Sequence, residues 1–171
     1  FIFQLYTLGF LNLNKVYCLL KAKKIHGENI CFLLKFSSAY YKNKTALSNG
    51  EQSVSFIELY NKVKQLSNTI SQKIDTAEKS VAIVVSANTI NNVLLFYAIQ
   101  NIGMKLVLVN AKTHQKDLQE IINSQTNNCL VFFSQKIELQ NCQTIIMDEL
   151  FSNELTSNET FIHSRKNTPV I

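Results

Sequence analysis

The stretch Val81-Ala-Ile-Val-Val-Ser86 decides the fold. A strand with one wet face alternates apolar and polar residues. An unbroken, β-branched run is the signature of a strand buried on both faces of a parallel sheet. Similar runs recur at Leu106-Val-Leu-Val109 and at Cys129-Leu-Val-Phe-Phe133, and a fourth strand is expected at Thr144-Ile-Ile-Met147. The first three begin near positions 81, 105 and 129, two equal steps of 24 residues. Helices fill the gaps. Asn88 or Thr89 can cap one that carries Ile90, Val93, Leu94, Tyr97, Ala98 and Ile102, and Gly103 stands where a C-terminal helix cap belongs. Thr113 is expected to start a shorter helix with Leu118, Ile121 and Ile122 inward, ending near Ser124. Strand, helix, strand at this interval is the βαβ unit, which crosses over right-handedly into a parallel sheet. The expected class is α/β, with Leu106–Val109 as a second buried strand.

Working outward, Asn49-Gly50 suits a hairpin turn. Ser55 precedes Glu58 by three residues, the spacing of a helix-opening capping box. Phe56, Leu59, Tyr60, Val63, Leu66 and Ile70 then recur at steps of three and four, predicting an amphipathic helix from about Phe56 to Lys73. Beyond Asp148 the chain turns polar, and 151–171 reads as a loop or linker. At the other end the charge is lopsided. The net charge is +5, but the residues up to Lys44 hold seven lysines against Glu28 alone, and the rest carries −1. The basic character therefore says nothing of a nucleic-acid surface on the body, and no nucleic-acid partner is expected. Phe1–Leu20 is apolar but interrupted by Gln4, Asn12, Asn14 and Lys15, so neither a membrane span nor a signal peptide fits it. The chain begins with Phe1 and its first methionine is Met104. Residues 1–28 read as a leader outside the domain, translated from A/T-rich upstream DNA, with the domain proper at 29–150.

Several chemistries are excluded by their motifs. Dinucleotide binding wants Gly-x-Gly-x-x-Gly after the first strand, where the backbone must approach a pyrophosphate; here the turn is Ser86-Ala87-Asn88-Thr89. No phosphate loop ending in Gly-Lys-Ser/Thr occurs, and no Gly-x-Ser-x-Gly nucleophile elbow. Cys18, Cys31, Cys129 and Cys142 lack zinc-ligand spacing, and His26, His114 and His163 lie far apart in sequence. Cys129 reads as a small buried hydrophobe at a strand start. His114 sits at a strand-to-helix mouth, where open α/β sheets bind ligands, yet a lone histidine there reads as a solvent-facing first-turn residue. Asp148-Glu149 are immediate neighbours, which do not converge on one site. On residues alone the sequence stops at part of an α/β domain.

A family resemblance goes further. Lys44-Thr-Ala-Leu-Ser-Asn-Gly50 followed by Val54-Ser-Phe-Ile-Glu-Leu-Tyr60 resembles the opening of the adenylate-forming (AMP-binding) enzymes, the superfamily of acyl-CoA synthetases and adenylation domains. Val81-Ala-Ile-Val-Val-Ser-Ala-Asn88, Phe96-Tyr-Ala-Ile-Gln-Asn-Ile-Gly103, Leu106-Val-Leu-Val-Asn110 and Asp117-Leu-Gln-Glu-Ile-Ile122 are similar to its successive motifs. The family's proline near Asn110 is missing, the local run being Val109-Asn110-Ala111. Ser134-Gln-Lys-Ile-Glu-Leu-Gln140 through Ile146-Met-Asp-Glu-Leu150 most resembles the 2-succinylbenzoate–CoA ligases of menaquinone synthesis.

This resemblance covers about residues 32–150 and implies the N-terminal subdomain of an acyl-CoA ligase, truncated before the family's ATP phosphate loop and catalytic lysine. It implies ATP, Mg2+ and CoA for the full-length enzyme and a small-molecule carboxylate as substrate. It also implies a cytoplasmic location, no membrane span, and compatibility with a homo-oligomer. None of the family's catalytic, cofactor-binding or metal-ligating residues maps onto this sequence, so the fragment alone is expected to bind none of these and to be inactive. The alternative is a standalone non-catalytic α/β module that binds a partner or a small ligand.

Overall fold

A computed structural model of the chain describes residues 12–27, 29–74, 81–87, 89–125, 129–133 and 138–151. The polar 152–171 segment, Glu28, Asn88 and His163 lie outside the described residues. The chain divides into two units, Phe1–Asn61 and Lys62–Ile171.

The first unit opens with α1 (Leu13–His26), which falls in the stretch read as a leader. Asn12 caps it by accepting from the Asn14 amide at 2.9 Å, and Gly27 closes it. Helix α2 (Cys31–Tyr40) buries Cys31, Leu34 and Ser38. Strands β1 (Thr45–Ser48) and β2 (Ser53–Ser55) pair antiparallel. Their turn is built as the dipeptide implied: Gly50 has φ +93°, and Asn49 Oδ1 accepts from the amides of Glu51 and Gln52 at 3.1 and 2.8 Å. Helix α3 (Phe56–Lys73) follows at once and continues into the second unit. Its capping box is formed: the Ser55 amide donates to Glu58 Oε2 at 2.8 Å, and the Glu58 amide donates back to Ser55 Oγ at 3.3 Å.

In the second unit, β3 (Val81–Ser86), α4 (Ile90–Asn101), β4 (Lys105–Asn110), α5 (Gln115–Ser124), β5 (Cys129–Phe133), β6 (Gln143–Ile146) and α6 (Met147–Phe151) follow in order. The four strands form one parallel sheet in the order β4-β3-β5-β6. The equal steps of the sequence reappear as register: Val81 stands opposite both Lys105 and Cys129. β3 and β5 are the inner strands, buried along nearly their whole length. One face of the sheet packs Val81, Ile83, Val85, Val131 and Phe133 against Leu118 and Ile122 of α5. Thr89 caps α4 by accepting from the Asn92 amide, and Gly103 takes φ 82° just past the helix end.

Three expectations need correcting. β4 is not a buried strand; among the described residues it stands at the sheet's edge, and Leu108 is 62% exposed. An apolar run specifies a strand but not its rank in the sheet. Helix α5 starts at Gln115 and not at Thr113. The Asn110 carbonyl takes the Thr113 amide at 3.0 Å and Asn110 Oδ1 takes the Lys112 amide at 2.8 Å, a turn that delays the helix. Finally, the chain does not become loop at Asp148. Met147 and Leu150, three residues apart and both buried, hold the short helix α6, with Asp148 and Glu149 favourably placed in its first turn. Among the described residues no helix is long and apolar enough to cross a membrane.

Candidate functional site at the carboxyl ends of the strands

The strand order fixes where a ligand site can form. From β3 the chain passes through α4 to β4 on one side, then through α5 back across to β5 on the other. The connections thus diverge between β3 and β5, the topological switch point at which open α/β sheets bind ligands beyond the carboxyl ends of their strands. Ser86 ends β3 there and Phe133 ends β5.

The polar side chains at the end of β3 are tied to one another. Ser86 Oγ is hydrogen-bonded to Asn92 Oδ1, and Asn92 Nδ2 donates to the Ala87 carbonyl. This network stiffens the turn into α4 and leaves its hydroxyl and amide committed to local partners. At the end of β4, Asn110 is engaged in its turn, and His114 is exposed at the start of α5 with no side-chain capping bond. His114 therefore stands as the solvent-facing residue that its isolation in the sequence implied. Neither a carboxylate pair suited to Mg2+ nor a glycine turn suited to a triphosphate occurs among the described residues at these strand ends. Nor do three His, Cys, Asp or Glu side chains cluster anywhere among them. The described residues at these strand ends do not fit the phosphates and metal of an adenylation reaction, and no chemical step is assigned to them.

Two groupings that periodicity could not reveal lie elsewhere. In the first unit, His26 Nε2 lies 3.2 Å from the Tyr60 hydroxyl with the rings edge-on, and the Lys35 ammonium stands 4.4 Å from the centre of the Tyr60 ring. Burial pushes the Cys31 thiol up to about 12; burial, with the Cys31 thiolate adding to it, does the same to the Tyr60 phenol. Both are neutral at physiological pH, so Cys31 is a packed hydrophobe and not a nucleophile. In the second unit, Cys129 is buried at the start of β5, as read from the sequence, and Cys142 packs against the same cluster.

Comparison with known proteins decides the family. The family model described as AMP-binding enzyme matches residues 34–169. The chain belongs to the AMP-binding enzyme family. Solved structures show the same fold. The N-terminal subdomain of Klebsiella oxytoca NpsA, in complex with 3-hydroxybenzoyl-AMSN, matches with a TM-score of 0.68 at 14% identity over 84% of this chain and 34% of that one. The o-succinylbenzoate CoA synthetase MenE of Bacillus subtilis, in complex with the acyl-adenylate intermediate OSB-AMP, matches with a TM-score of 0.60 at 23% identity over 74% of this chain and 26% of that one. The same enzyme in complex with AMP matches with a TM-score of 0.54 at 22% identity over 82% of this chain and 34% of that one. The chain thus spans about a third of the length of these structures, or less. No curated protein matches it. The fold is the α/β N-terminal subdomain fold that the sequence resemblance implied.

Proposed function

We propose that this chain carries the N-terminal part of an ATP-dependent, AMP-forming acid–thiol ligase. The observation that carries this reading is the family match over residues 34–169. In the whole enzyme a substrate carboxylate attacks the α-phosphorus of ATP, pyrophosphate leaves, and the thiol of CoA then displaces AMP from the acyl adenylate. The acid is 2-succinylbenzoate. The resemblance of Ser134–Gln140 and Ile146–Leu150 to that ligase group supports it, and OSB-AMP is the adenylate such an acid would give. With diffusible substrates the enzyme would work in the cytoplasm.

In this reading the parallel sheet is scaffold. The phosphate- and metal-binding groups come from chain outside these residues. The test is carboxylate-dependent ATP–pyrophosphate exchange on the 171-residue chain and on a gene-extended version. The extended protein should exchange with 2-succinylbenzoate while the short chain stays at background. Exchange by the short chain would show that the chemistry resides here after all. Exchange with other acids only would reject the substrate.

A further inference from the structure

We propose that Cys129 and Cys142 form a cross-strand dithiol, a reversible modification site that closes to a disulfide by exchange with a low-molecular-weight disulfide. The placement follows from register. β5 and β6 run parallel with Leu130 opposite Gln143 and Phe133 opposite Ile146, so one step back along the pair sets Cys129 opposite Cys142. Neighbouring strands lie ~4.8 Å apart, within the ~4.4–6.8 Å between Cα atoms that a disulfide spans. The facing is also right. Cys129 belongs to the cluster of Val131 and Phe133, two and four residues on and hence on the same face, and Cys142 packs against that cluster. Cys142 stands just ahead of β6, next to Asn141 at φ 62°, so its backbone is tied to the ladder on one side only and can adjust.

The two thiols differ in access, which orders the steps. Cys129 is 1% exposed and Cys142 is half-buried. The Cys142 thiolate attacks one sulfur of the small disulfide and expels the other as thiolate, giving a mixed disulfide. The Cys129 thiolate then attacks Cys142 Sγ and expels the second small thiolate. The two protons released by the protein thiols end on the two leaving thiolates, and the small disulfide is reduced as the protein pair is oxidised. Burial, and after it the Cys129 thiolate, raise the Cys142 thiol, in keeping with two sulfurs that share one site. The pair therefore responds to sustained oxidising conditions and not to brief ones. Closing the bond staples β6 to β5 across a 14-residue loop.

The experiment treats the 171-residue chain with oxidised glutathione, natively and in guanidinium, blocks the remaining thiols, and maps disulfides by mass spectrometry without reduction. The native sample should give Cys129 linked to Cys142 as its main disulfide, with Cys31 unmodified, and dithiothreitol should dissolve the link. The unfolded sample should scatter its pairings over all four cysteines. In Cys129→Ser the glutathione adduct should accumulate on Cys142. A native sample that keeps its adduct on Cys142 while Cys129 is present would overturn the proposal. So would a native pairing pattern matching the unfolded one.

Discussion

Ser67 lies 2% exposed, its hydroxyl 2.8 Å from the Val63 carbonyl and 3.3 Å from the Ala98 carbonyl, and it accepts from Asn101 Nδ2 at 3.1 Å. One hydroxyl thus ties α3 to α4. Ser67→Ala leaves the buried Asn101 amide short of an acceptor and should cost about 1–3 kcal/mol, read as a lower urea midpoint with unchanged slope. Ser55→Ala, which removes an exposed cap, should cost only about 1 kcal/mol by the same measurement. The cap was legible in the sequence because its partners are three residues apart. The Ser67–Asn101 bond was not, because its partners are 34 apart and meet only once α3 and α4 pack. Cys31 and Tyr60 carry a pH prediction. Their ordinary values are 9.0 and 10.0, and both are raised to about 12 in the fold. As pH rises above 9.0 the unfolded chain loses these protons while the folded chain keeps them. Stability is therefore full below that pH and declines toward 12, by on the order of 4 kcal/mol for the Cys31 thiol. Cys31→Ala should delay the onset of that decline, checked by urea unfolding followed by circular dichroism at rising pH. A decline that begins equally early in the variant would assign it elsewhere.

Among the elements, β3 and β4 read almost alike in sequence and differ in the fold. Both are apolar six-residue strands, yet β3 lies between two neighbours and β4 has one. Apolar runs, helix stripes and the 24-residue step were enough to give β3 to β6, α3 to α5 and the parallel pairing, because each is a local or periodic property, whereas α1, α2 and α6 were not read from it. Which strand takes the edge depends on the direction of each crossover, which no local pattern encodes. The consequence is measurable. Ile83 is fully buried, so Ile83→Ala should cost about 2–5 kcal/mol. Leu108→Ala on the edge strand should stay within about 0.5 kcal/mol. Denaturant unfolding of both variants checks this, and a large loss at Leu108 would mean that something covers the edge in solution.

Across the whole molecule, the sequence assigned the family through short ordered motifs but offered no catalytic residue. Among the described residues, Ser86 and Asn92 at the end of β3 and Asn110 at the end of β4 are bonded to nearby groups. The charge is segregated instead. Up to Lys44 the chain carries +6, and the remainder carries −1. The family match begins only at residue 34. Reading residues 1–28 as outside the enzyme makes a definite prediction even though α1 buries Ala22 and His26. Deletion of 1–28 removes the His26–Tyr60 hydrogen bond, worth about 0.5–1.5 kcal/mol. That loss should fall on α3 around Tyr60, because the sheet lies in the other unit and has its own cluster. Amide hydrogen exchange separates the two. The amides of β3 and β5 should keep their protection in the deleted chain while those near Tyr60 exchange several-fold faster. Collapse of protection in β3 and β5 would make the leader part of the folding unit and end the reading of 29–150 as the domain.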